Sequence, residues 1–123
     1  MTQFAHNAAW PDEMHAAVWM ARAEARALHQ EMTGEDLVIT SGHRPGDEGS
    51  LHAEYRAFDI RVWHFDDHAH IRAFAAELHR RLGPDFDVVV EGPAATDLRY
   101  RNKPPHVHVE YDPKGPHVEV ADQ

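Results

Sequence analysis

The sequence predicts an α+β fold in which two main helices pack on a small, mainly antiparallel sheet. Two stretches repeat apolar residues at steps of three and four, and four short stretches are β-branched or alternate apolar with polar side chains. Their order along the chain is α-β-β-α-β-β. No internal repeat, linker or low-complexity tract interrupts it, and 123 residues is the size of one domain spanning 1–123.

The first helix is expected from Asp12 to Met32. Met14, Val18, Ala21, Ala25, Leu28 and Met32 form its apolar stripe, while Arg22, Glu24, Arg26 and Glu31 mostly lie off it. Pro11 with Asp12 and Glu13 suits a first turn, and Gly34 suits the stop. His15 and His29 are expected to be solvated. The ten residues ahead of this helix carry no pattern long enough to assign. Leu37–Thr40 is a short β-branched strand. The next stretch, Ser41–Ser50, holds three glycines and a proline in ten positions, which is turn chemistry.

Arg56–Val62 alternates, with Phe58, Ile60 and Val62 on one face and Ala57, Asp59 and Arg61 on the other. Asp66 or Asp67 caps a second helix running to about Leu82. Its stripe is Ile71, Phe74, Ala75, Leu78 and Leu82, and Gly83-Pro84 ends it. Asp87–Glu91 is a strand around Val88–Val90, Gly92–Pro105 a polar loop, and His106–Tyr111 the last strand. Val118–Val120 offers a short further edge pairing.

Composition narrows the chemistry. Cysteine is absent, so a disulfide framework and thiolate metal sites are excluded, and any metal must be held by His, Asp or Glu. A net charge of −9 argues against a nucleic-acid partner, which calls for a basic footprint. Neither a signal peptide nor an apolar run near the length of a membrane span is expected, which implies synthesis in the cytoplasm. Histidine is over-represented, with 12 copies, no two adjacent.

Two segments gather the residue types that hold metals. The first runs from Ser41 to Asp59 and contains His52 and, seven residues on, Asp59. A carboxylate midway along a strand is costly to bury unless it is paired or coordinates a metal. The second is Pro105–Glu110, where alternation puts His106, His108 and Glu110 on one sheet face, roughly 7 Å apart in succession. One imidazole and one carboxylate from the first segment with one imidazole from the second make a three-ligand site with an open position. That is the usual catalytic zinc arrangement. Non-haem iron sites use the same donor types, but commonly with a tight H-x-D pair that the spacing of seven does not match. His64, His68 and His70 form another cluster. Residues 68 and 70 point apart on a helix, so these are expected to be solvated residues at the helix entry.

Ser50-x-His52-x-x-x-x-Ala57-x-Asp59, followed by His106-x-His108 and preceded by Ser41-Gly-His-Arg44, resembles the zinc D-Ala-D-Ala carboxypeptidases and L-Ala-D-Glu endopeptidases of the hedgehog/DD-peptidase fold. The resemblance spans residues 37–111. It implies a zinc metallopeptidase acting on peptidoglycan stem or cross-bridge peptides, with His52, Asp59 and His108 as zinc ligands. His106 would then orient the attacking water and stabilise the oxyanion, and Arg44 and Ser50 would meet the substrate. A lone catalytic domain of this type resembles phage endolysins, released to the cell wall by a lysis partner. Two departures stand out. Tyr55 replaces the glycine of the family's SxHxxGxAxD pattern, and Lys103 and Pro105 stand where many members carry a catalytic glutamate three residues before the histidine. Glu91, at the end of the preceding strand, is the best alternative base. The alternative of another class is a non-catalytic metal-binding or virion structural domain that retains the ligands.

Overall fold

Five strands form one mixed sheet in the computed structural model, which describes residues 1–6, 8–43, 51–52 and 54–113. The strands are β1 (Thr2–Phe4), β2 (Leu37–Ser41), β3 (Ala57–Ile60), β4 (Phe86–Glu91) and β5 (His106–Tyr111), in spatial order β1-β2-β3-β5-β4. Helices α1 (Ala16–Thr33) and α2 (His68–Leu82) complete the α+β architecture, with a 3-10 turn at Leu98–Tyr100 inside the loop that joins β4 to β5.

The expectation of a mainly antiparallel sheet needs correction at one edge. The β2–β3, β3–β5 and β5–β4 ladders are antiparallel, but β1 lies parallel to β2, with Thr2 opposite Leu37 and Phe4 opposite Ile39. Three residues are too few to show alternation, and this strand exists only because β2 offers its edge.

The first helix begins at Ala16 rather than Asp12. Residues 12–14 form a turn closed by the Met14 N–H on the Pro11 carbonyl, and the His15 Nδ1 caps α1 by accepting the Ala17 N–H at 3.0 Å. Gly34 ends the helix in the left-handed conformation, as its position suggested. Asp67 caps α2, accepting the His70 N–H at 2.8 Å, and the helix runs to Leu82.

Val18, Ala21, Ala25 and Leu28 of α1 and Ile71, Phe74 and Leu78 of α2 bury against Leu37, Ile39, Phe58, Ile60, Val107 and Val109. All of those strand residues point to one face of the sheet. Alternation therefore sends Asp59, His106, His108 and Glu110 to the opposite face, and this division of labour is what positions the site.

His29 is not solvated. It is wholly buried, with its Nδ1–H donating to the Glu35 carbonyl at 2.8 Å and its ring edge-on to Phe65 and Phe74. It lies four residues after Ala25, on the core stripe, which the tertiary contacts widen to include it. His64 also departs from expectation: it is half-buried against His29, with ring centroids 5.6 Å apart. His70 is half-buried and its Nδ1 accepts the Asp66 N–H, while His68 is exposed as expected. Among the described residues no helix is long and apolar enough to cross a membrane. Val118–Val120, Arg44 and Ser50 lie outside the described residues.

Candidate metal centre

Register brings the two sequence segments together. Asp59 on β3 and His108 on β5 are direct cross-strand partners, and His52 enters from the turn that precedes β3. The His108 Nδ1 lies 2.9 Å from the Asp59 Oδ1, the His52 Nε2 3.2 Å from the His108 Nδ1, and the His52 Nε2 3.4 Å from the Asp59 Oδ1. His52 and Asp59 are buried and His108 partly so, and together they form a group that can hold a metal ion.

Two observations bear on that fit. Donors about 2.1 Å from a tetrahedral ion sit about 3.4 Å from one another, so a zinc-sized ion needs the shortest side of this triangle to open by about half an ångström. The outer atoms are also committed in the right sense. The His52 Nδ1–H donates to the Gly42 carbonyl at 2.7 Å, and the His108 Nε2 lies 2.7 Å from the Glu110 carboxylate. Each contact leaves the opposite ring nitrogen aimed at the centre, as the ring partners of metal-bound histidines do.

The electrostatics describe a place that demands positive charge. Burial alone would lower the pKa of His108, but the carboxylates of Asp59 and Glu110 on either side outweigh it and raise it to about 9. Burial likewise pushes the Asp59 carboxyl up, and the hydrogen bonds to His108 and His52 overcome this and hold it well below the usual carboxylate range. A proton on the His108 Nδ1 occupies the space that a cation would take.

His106 stands one alternation step along β5, opposite Glu91 on β4. Its Nε2 lies 2.8 Å from the Glu91 Oε1 and 3.5 Å from the Asp59 Oδ1. The sequence-based candidates His106 and Glu91 are thus neighbours beside the His52–Asp59–His108 group. A cleft of about 540 Å³ opens there, lined by Glu91, His108, Glu110, Asp87, Val89 and Tyr100 among others.

Tyr55 explains its own oddity. Among the described residues it is the one non-glycine with positive φ, at 64°, and it occupies the glycine position of the pattern. Its ring stacks flat on His43, with centroids 4.0 Å apart, and its carbonyl accepts the His15 N–H. The turn after His52 therefore needs the left-handed conformation, and tyrosine supplies it with the help of those contacts.

Two participants escaped the sequence reading. The sequence puts Glu110 on the site face without a role, and its i, i+2 alternation with His108 is the signal for one. Gly42 had no signal, because it contributes a backbone carbonyl. Asp87, Glu110 and Asp112 also converge on this side, a consequence of the same β4–β5 register. A scan against protein-family models and searches of curated proteins and of solved structures each found no match to this chain.

Proposed function

We propose that this protein is a zinc-dependent peptidase, with His52, Asp59 and His108 as the ligands, hydrolysing peptidoglycan stem or cross-bridge peptides. The observation that carries the reading is the convergence of three donors from distant segments beside an open cleft lined by His108 and Glu91, with His106 bonded to Glu91. The substrate class comes from the motif resemblance alone.

A zinc ion held there would polarise a scissile carbonyl and lower the pKa of a water molecule. The chain supplies the rest. Asp59 would balance the charge of such an ion, and the Gly42 carbonyl and the Glu110 carboxylate hold the two imidazoles in orientation. Glu91 Oε1 takes up the proton of the attacking water and passes it toward the leaving amine. The adjacent His106, whose Nε2 lies 2.8 Å from the Glu91 Oε1, stabilises in this reading the negative charge that develops on the carbonyl oxygen. Arg44 and Ser50 would meet the substrate in this reading, as the motif resemblance implies.

The burial of His52 and Asp59 is compatible with a second reading, a metal that only ties the two segments together. Zinc content measured on purified protein, beside digestion of muropeptides, decides between them. One equivalent of zinc with release of new amino termini supports the peptidase. Stoichiometric zinc without cleavage favours the structural domain, and a chain that takes up no zinc overturns both.

A further inference from the structure

The orientation of His52 depends on a residue without a side chain. Its Nδ1–H donates to the Gly42 carbonyl at 2.7 Å, which leaves Nε2 for the centre. Gly42 in turn is pressed against the N-terminal segment. A Cβ placed on Gly42 would collide with the Ala9 carbonyl oxygen and come within 3.4 Å of the Trp10 ring. That same Ala9 oxygen accepts the His43 N–H at 2.9 Å, which locks the two backbone segments together. The segment cannot easily retreat, because the Trp10 ring lies edge-on to Phe58, with centroids 5.4 Å apart, and to Trp19 at 5.7 Å. Phe58 is the β3 neighbour of Asp59.

We infer that Gly42 is a positioning residue for the metal centre: backbone contact with Ala9 fixes its carbonyl, and that carbonyl fixes the imidazole of His52. The inference rests on His52 being a metal ligand and needs no assumption about peptide hydrolysis. Glycine is required here for space, since a β-carbon must either push Ala9 and Trp10 off the core or move the 42–43 backbone away from His52. In the second case the ring loses the acceptor that holds its proton on Nδ1, and Nε2 is no longer held ready for the ion. Loss of such an outer hydrogen bond typically costs about 10- to 100-fold in metal affinity.

The test uses the full-length chain. Zinc affinity is measured by competition with a chromophoric chelator for wild type, Gly42→Ala and Gly34→Ala. Gly34 has a positive φ but open space around its α-carbon, so Gly34→Ala destabilises the end of α1 without touching the latch. Gly42→Ala should bind zinc about 10- to 100-fold more weakly, with Gly34→Ala close to wild type. Equal losses in the two variants, or none in a folded Gly42→Ala, overturn the inference. Should Gly42→Ala fail to fold, nitrogen NMR of the zinc-loaded wild type still decides: His52 must coordinate through Nε2 and keep a protected Nδ1–H, and coordination through Nδ1 overturns it. A wild type without zinc affinity would instead overturn the metal centre itself.

Discussion

Asp59 on β3 and His108 on β5 face each other across one ladder, and their oxygen and nitrogen lie 2.9 Å apart at the middle of the sheet. His52 closes on this pair from outside the sheet. The smallest change that tests the arrangement is at the carboxylate. Asp59→Ala should abolish stoichiometric zinc binding, measured by elemental analysis after dialysis, and retention of a full equivalent would refute the ligand assignment. The metal-free variant should also be less stable, because the raised charge on His108 loses its buried partner.

His106 and His108 should separate by function. His106→Ala is expected to keep zinc while losing about a hundredfold or more in turnover, typical for the loss of one oxyanion stabiliser. His108→Ala should lose zinc and activity together. Metal content and peptide hydrolysis need measuring on each purified variant, and a His106→Ala protein that loses zinc while His108→Ala retains it would reverse the roles.

Metal removal should cost stability, since the ligands join segments separated by half the chain and an ion bound only by the native state stabilises it through mass action. Treatment with a chelator should lower Tm by several degrees, and restoring zinc should recover it. An unchanged melting curve with zinc verifiably removed would argue against a site that ties these segments.

The metal-free protein should have a distinctive pH profile. The folded-state pKa of His108, about 9, lies above its ordinary 6.5, so its contribution to stability is complete below about pH 6.5 and lost as pH rises through 9. The size of that loss is on the order of 3 kcal/mol. Asp59 acts in the opposite direction: its depressed pKa stabilises above its ordinary 3.8 and fails as pH falls below that. Urea unfolding in chelator at pH 6, 7.5 and 9 should show falling stability, and His108→Gln should flatten the trend.

Tyr55 permits a test of backbone strain. Both Tyr55→Ala and Tyr55→Gly remove the ring stacked on His43, but only glycine accepts φ of 64° without penalty. Tyr55→Gly should therefore be the more stable of the two by about 1 kcal/mol in denaturant unfolding. The reverse order would mean that the turn relaxes out of the left-handed region when the ring is removed.

Local chemistry wrote much of this protein into its sequence. The periodicity of Val18 to Leu28 and of Ile71 to Leu82 identified both helices, because a stripe at 3.6-residue spacing has few other uses. The alternation of His106 to Tyr111 matched β5 residue for residue, and the cost of burying Asp59 marked it as a candidate ligand. Other features depended on partners distant along the chain. Thr2–Phe4 becomes a strand only beside β2, and His29 is buried only because Phe65 and Phe74 close over it. The meeting of His106 with Glu91 follows from a ladder register that the long loop between β4 and β5 leaves open. The grip of Gly42 on His52 is made by a backbone carbonyl, and every residue carries one. Side-chain pattern is a local property and can be read along the chain; register, burial and backbone contact are relations between segments, and only packing decides them.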